Sequence, residues 1–200
     1  FCRWLVKDRR AKIDPLAHLS PRNADLDRRR RRRPLSQAEF ELLVAQARKG
    51  KRIQKISGPD RAMLYVLAAW TGYRRGELAS LTRASFDLDA VPPTATVLAA
   101  YSKRRRTDVQ PLHPSVVEML RPWLKTKNRL KTQDVLFPVS QKAGNGKDRR
   151  TAIMMRRDLM AARKAWLESS ANAKVRAERE KTDFLKYEDS EGRFADFHSN

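Results

Sequence analysis

The sequence has one cysteine, Cys2, which excludes an internal disulfide and any metal cage built on paired thiolates. Its histidines, His18, His113 and His198, lie far apart and show no metal-ligand spacing. No stretch approaches the roughly 18 apolar residues of a membrane-spanning helix. No basic amphipathic segment carries the bulky apolar face of a membrane-lying one. There is no P-loop and no visible secretory leader. Negative charge is also scarce: 23 Asp and Glu face 44 Lys and Arg, for a net charge of +21. A field of that sign gathers phosphates, so a polyanion is the expected partner and nucleic acid the leading one. No metal, other cofactor or membrane partner is expected, and a reducing cytoplasm fits.

A hydrophobic share of 40% over 200 residues allows one domain with a real core, or one domain plus part of another. Residues 1–20 read as a helical tail anchored by Trp4, Leu5, Leu16 and Leu19 and broken by Pro15. The chain opens at Phe1 on what reads as a helix already under way, so the natural start is expected upstream. Residues 21–34 then form a basic linker. Arg28, Arg29, Arg30, Arg31, Arg32 and Arg33 are consecutive, and apolar residues are too few to build a core. Such a run is either a solvated charge stretch or a segment lying along phosphates.

Residues 35–200 read as the main domain. Ser36 and Glu39 have capping-box spacing, with Leu35 and Phe40 placed as a hydrophobic staple, so a helix is expected to about Arg48. A second helix starts near Pro59, with Met63, Leu64, Leu67 and Trp70 as its core face, and ends at Gly72. A short helix from about Arg74 to Leu81 follows. Residues 94–110 read as a β-hairpin whose tip carries Lys103, Arg104, Arg105 and Arg106. Beyond it come a helix from Pro114 with Val117, Leu120 and Leu124 inward, a short buried segment at 134–138, and a loop over residues 141–150. A long helix with Met155, Leu159, Ala162 and Trp166 on one face closes the run, and residues 169–181 read as a polar, mobile continuation. The fold class is mainly α with a small antiparallel β-sheet.

Two places concentrate unexplained charge. Arg74, Glu77, Leu78 and Leu81 share a helical face, and the leucines belong inside, so Arg74 sits at the edge of a buried surface. A guanidinium there needs a carboxylate or a phosphate. A structural Arg74–Glu77 pair would supply the first. At the hairpin tip four cations repel one another; water or the backbone of a nucleic acid would relieve them. His198, beside Phe197 in a short apolar context, is by itself more often structural than catalytic.

Together these stretches resemble the tyrosine recombinase (phage integrase) family. Thr71, Gly72, Arg74, Glu77 and Leu78 fit its Thr-Gly-x-Arg-x-x-Glu-Leu box; Lys103, ahead of Pro111 and Leu112, fits its hairpin lysine; His198 fits the first position of its His-x-x-Arg box. The resemblance spans roughly residues 35–200, and residues 1–20 look like the end of the family's helical core-binding domain. It implies a double-stranded DNA partner, a homo-oligomer with two copies per site and four per synapse, and action in the cytoplasm on the nucleoid. It also implies catalysis of DNA integration and recombination through a 3′-phosphotyrosyl link without ATP or metal. Arg74 would stabilise charge on the phosphate. Lys103 would protonate the departing 5′ oxygen. His198 would bind the same phosphate or manage the tyrosine's proton, and Glu77 would orient its neighbours. The second arginine and the nucleophilic tyrosine of the family would fall after Asn200, while Tyr65, Tyr73, Tyr101 and Tyr187 all precede His198. The expectation is therefore a fragment that binds DNA and does not cleave it. A type IB topoisomerase-like enzyme and a non-catalytic DNA- or RNA-binding module remain alternatives.

Overall fold

The computed structural model describes residues 1–19, 31–140 and 150–195. They divide into two units, Phe1–Arg31 and Arg32–Asn200. In the first unit, helix α1 (Cys2–Lys7) buries no residue. It stops well before Pro15, and Trp4, Leu16 and Leu19, expected as apolar anchors, are about half exposed. A helix this short has little burial to repay its nucleation. Strand β1 (Arg31–Arg32) lies where the first unit ends and the second begins.

The second unit opens as its sequence predicts. Ser36 Oγ accepts from Glu39 N–H at 3.3 Å, and the Glu39 carboxylate accepts from Ser36 N–H at 2.9 Å. This reciprocal cap starts α2 (Gln37–Lys49). Leu35 and Phe40 both pack against the core, as a staple should. Helix α3 (Gly58–Thr71) starts on a Ser57 cap with a proline in its first turn. It runs so close to α2 that a Cβ on Gly58 would lie 2.5 Å from the carbonyl oxygens of Ala47 and Gly50. Only glycine permits that approach.

A short helix α4 (Arg75–Ser80) leads through a 3₁₀ turn into β2 (Phe86–Asp87), β3 (Thr94–Val97) and β4 (Asp108–Pro111). These form an antiparallel sheet in the order β2-β3-β4, with Ala95 opposite Gln110 and Val97 opposite Asp108. Ala95 and Val97 point into the core. Helix α5 (Pro114–Lys125) buries Val116, Val117, Leu120 and Trp123, and Trp123 stacks on Phe137 at 5.1 Å. Phe137 and Leu136 lie in the expected buried segment, where Leu136 N–H donates to Leu81 O at 2.8 Å.

Helix α6 (Thr151–Glu168) packs on α2 and buries Met154, Met155, Leu159 and Ala162. It also supplies Asp158 to the fully buried Arg61 of α3. Arg61 Nε and Nη2 donate to the two Asp158 oxygens at 2.8 Å each, and Tyr65 OH donates to Asp158 Oδ2 at 2.8 Å. Arg61 Nη1 takes the carbonyls of Lys51 and Ile56. A buried charge survives only with its donors and acceptors met, as here. Burial, reinforced by the Asp158 charge, pushes the Tyr65 phenol well above its ordinary pKa.

Two expectations need correcting. Trp70 is 50% exposed and stacks on His113 at 4.7 Å. It shares the face of Met63 but lies in the last turn of α3, where the helix has run past the edge of the core. Residues 169–181 are not a featureless continuation: Asn172 Oδ1 accepts from Val175 N–H and starts α7 (Ala173–Lys181). The end of α7 is held by Arg163, which donates to the carbonyls of Glu180, Thr182 and Phe184. Strand β5 (Arg193–Phe194) follows. Among the described residues no helix is long and apolar enough to cross a membrane.

Candidate nucleic-acid interface

Helix α3 ends because Gly72 adopts a left-handed conformation, φ 66°, which a side chain would strain. Thr71 Oγ1 donates to Leu67 O at 2.6 Å and accepts from Tyr73 N–H at 3.2 Å, tightening the turn. Arg74 follows in an extended conformation, φ −69° and ψ 159°, as the N-cap of α4 and not inside a helix. Glu77 makes the cap: its Oε2 accepts from Arg74 N–H at 2.8 Å. An arginine side chain has no acceptor, so the reciprocal half of a capping box is missing. The second Glu77 oxygen lies 3.4 Å from Arg74 Nη1. With its side chain 56% exposed, Arg74 is held by its backbone while its guanidinium faces outward.

Tyr73 joins this turn to the sheet. Its ring is buried, and its hydroxyl donates to Ala95 O at 2.8 Å, with Asp108 O at 3.4 Å. The carbonyls belong to the two strands that carry the basic turn. Burial raises the Tyr73 phenol, and the charges of Asp108 and Glu77 raise it further. Between the strands, buried Ser102 organises the tip: its Oγ accepts from Arg104 N–H at 3.3 Å and its carbonyl from Arg105 N–H at 2.9 Å. Arg105 takes a positive φ of 52°. Lys103, Arg104, Arg105 and Arg106 are all exposed.

The Arg74 turn and the hairpin enclose a cavity of about 630 Å³. Arg74, Arg75, Glu77, Ser102 and Arg104 line it, and Arg32 reaches it from β1. Lys103 does not line it but sits on the turn between Ser102 and Arg104. Arg33, the last of the arginine run, goes elsewhere. It is buried, donating to both Glu39 oxygens at 3.2 and 3.1 Å and to Lys186 O. Leu185 N–H also donates to Glu39, at 2.7 Å. Arg33 is therefore a structural ion pair, its direction set by the protein interior. Burial alone would raise the Glu39 carboxyl, but Arg33 and the N–H groups of Ser36 and Leu185 outweigh it and hold the pKa below 4.5.

The structure thus brings Arg74, Glu77 and Arg104 to one cavity, with Lys103, Arg105 and Arg106 on the same turn as Arg104. His198 and Arg28, Arg29 and Arg30 lie outside the described residues, and Arg31 ends the first unit. Sequence reasoning did not separate Arg32 from Arg33, although alternation along a strand is the signal that could have done so. It passed over Tyr73, the unspecified position of the Thr-Gly-x-Arg box. Among the described residues no group of three or more His, Cys, Asp or Glu could hold a metal ion.

A mainly helical domain with a small antiparallel sheet, carrying an arginine-lined cavity between a helix cap and a basic hairpin, defines the class. The Phage integrase family matches residues 33–179, and the chain belongs to that family. A crystal structure described as XerA recombinase matches with a TM-score of 0.45 and 17% identity, over 87% of this chain and 54% of that one. The chain thus spans about half the length of that structure. No curated protein matches it.

Proposed function

We propose that this chain is the phosphate-gripping portion of a site-specific DNA recombinase, one that breaks and rejoins strands through a 3′-phosphotyrosyl link. The observation that carries the reading is the Arg74 cap. Glu77 fixes the Arg74 backbone, and Arg74 lines a cavity that Arg32, Arg75 and Arg104 also line. Preorganised donors of this kind stabilise charge that develops on a phosphate's non-bridging oxygens. Lys103, on the exposed hairpin, protonates the departing 5′ oxygen. His198 binds the same phosphate or handles the tyrosine's proton. Neither ATP nor metal enters, because the phosphodiester energy is kept in the protein–DNA bond. Copies of the chain assemble on double-stranded DNA, two per site and four per synapse.

The nucleophile is not among the tyrosines of this chain. The hydroxyls of Tyr65 and Tyr73 are buried and donate to fixed acceptors. The Tyr187 ring packs against Phe194 at 5.7 Å, and Tyr101 lines a different cavity from that of Arg74. The reading therefore has the 200-residue chain binding DNA without forming the covalent link. A nicked suicide duplex tests this: no denaturation-resistant adduct should form, and an adduct would place the nucleophile here after all. The same tyrosine positions favour, as second reading, a DNA-binding module with no chemistry of its own. Arg74→Ala in a chain that does cleave separates the two, since a recombinase loses cleavage and keeps most of its binding.

A further inference from the structure

A second hairpin, much shorter than the one carrying Lys103, joins α2 to α3. Ile53 N–H donates to Ile56 O at 3.0 Å, and Ile56 N–H donates to Ile53 O at 2.9 Å. The two residues at its tip, Gln54 and Lys55, both take a positive φ, 52° and 64°. Turns of this kind favour Asn-Gly, because other side chains strain the left-handed backbone. The tip is nevertheless held firmly. Buried Arg61 donates to the carbonyls of Lys51 and Ile56 at 2.9 and 3.0 Å. The Gln54 side chain spans to the start of α6, donating to Arg150 O at 3.1 Å and accepting from Arg150 N–H at 2.8 Å. Strain of this kind persists only where the surrounding structure holds it, and it gathers at ligand clamps and active sites.

The hairpin is also charged. Arg48, Lys49, Lys51, Arg52 and Lys55 are all exposed, and no acidic residue lies between Glu41 and Asp60. Among the described residues none of the five is ion-paired. Arg48 and Lys49 sit in the last turn of α2, where the helix dipole favours cations. No such reason covers Arg52 and Lys55. The hairpin adjoins the first turn of α3 and the Arg74 turn follows its last, 14 residues or roughly 20 Å apart. That is about six base pairs of duplex at about 3.4 Å each, so a phosphate held by Arg74 is out of reach of Lys55.

We propose that the 53–56 hairpin is a second DNA-backbone contact, in which Arg52 and Lys55 hold phosphates that the Arg74 cavity does not reach. This rests on the DNA-binding reading above and extends it. The strained tip presents an ammonium where glycine would present none. The Arg61 and Gln54 bonds fix its place before DNA arrives, so little ordering is left for binding.

The test is the salt dependence of binding to a random-sequence duplex oligonucleotide, measured for the 200-residue chain and single variants. Each phosphate contact contributes about 0.9 to the slope of log affinity against log salt. Lys55→Gly and Arg52→Gln should each lower the slope by about that much, as should Arg74→Ala, while Lys55→Arg, which keeps the charge, should leave it whole. Glycine relieves the positive φ at position 55, so Lys55→Gly should also melt at or above the parent. A merely structural hairpin would move the melt and not the slope. Should the glycine variant fail to fold, Lys55→Asn, which tolerates the same conformation, decides. Lys174→Ala is the control: Lys174 is an exposed cation on α7, and its loss should leave the slope unchanged. Full slopes for Lys55→Gly and Arg52→Gln beside a lowered one for Arg74→Ala overturn the second contact and leave the DNA reading standing. A slope lowered equally by Lys174→Ala also overturns it, since the effect would then be general charge. No binding by the parent chain overturns the DNA reading itself.

Discussion

Glu77 accepts the backbone N–H of Arg74 at 2.8 Å while keeping only a 3.4 Å contact with its guanidinium. The carboxylate fixes where the arginine starts and leaves its charged end exposed. The two residues should therefore fail differently. Glu77→Ala removes a cap and should cost about 1–2 kcal/mol in urea denaturation. Arg74→Ala should stay within about 0.5 kcal/mol, as exposed pairs usually do, yet weaken DNA binding. Equal stability losses would contradict this division.

The Arg61–Asp158 pair joins α3 to α6 with no water-exposed face. Asp158→Ala strands a buried guanidinium and should cost about 3–5 kcal/mol. Tyr65→Phe removes one hydrogen bond to a charged group, and about 1.5–3 kcal/mol is expected. Chemical denaturation of both variants checks the order.

Gly58→Ala sets two effects against each other. Helix propensity alone would favour alanine by up to about 1 kcal/mol. The new Cβ, however, would meet Ala47 O and Gly50 O at 2.5 Å and Arg48 O at 2.8 Å, all backbone atoms that cannot swing away. Sterics should win, with a net loss of roughly 1–3 kcal/mol. A thermal melt at or above the parent's would show that α2 and α3 separate more easily than this contact implies.

The Glu39 carboxyl is held below its ordinary value of 4.5 in the folded chain. A depressed folded pKa contributes stability that is present above the unfolded value and lost as pH falls through the folded one. Acidification below about pH 4.5 should therefore erode stability, and Glu39→Gln, weaker at neutral pH, should show a shallower acid loss. Denaturation midpoints across that range distinguish parallel curves, which would contradict the assignment, from converging ones.

The main helices were legible because their signals are local. The Ser36–Glu39 cap, the proline in the first turn of α3 and the Gly72 stop act within a few residues. The Phage integrase match covers the same stretch that carries the Thr-Gly-x-Arg-x-x-Glu-Leu box. What escaped was tertiary. Periodicity places Trp70 on the core face but cannot show that the core has ended. It marks Arg61 and Asp158 as polar, and nothing local says that they will find each other across 97 positions. Charge counting treated six arginines alike, whereas packing buried Arg33 and turned Arg32 to the cavity.

The most direct measurement is fluorescence anisotropy of a labelled DNA duplex titrated with the chain at stepped salt concentrations. The account predicts tight binding at low salt and a log–log slope of several units, because several phosphates are neutralised at once. Weak binding, or an affinity that barely responds to salt, would contradict a phosphate-gripping surface.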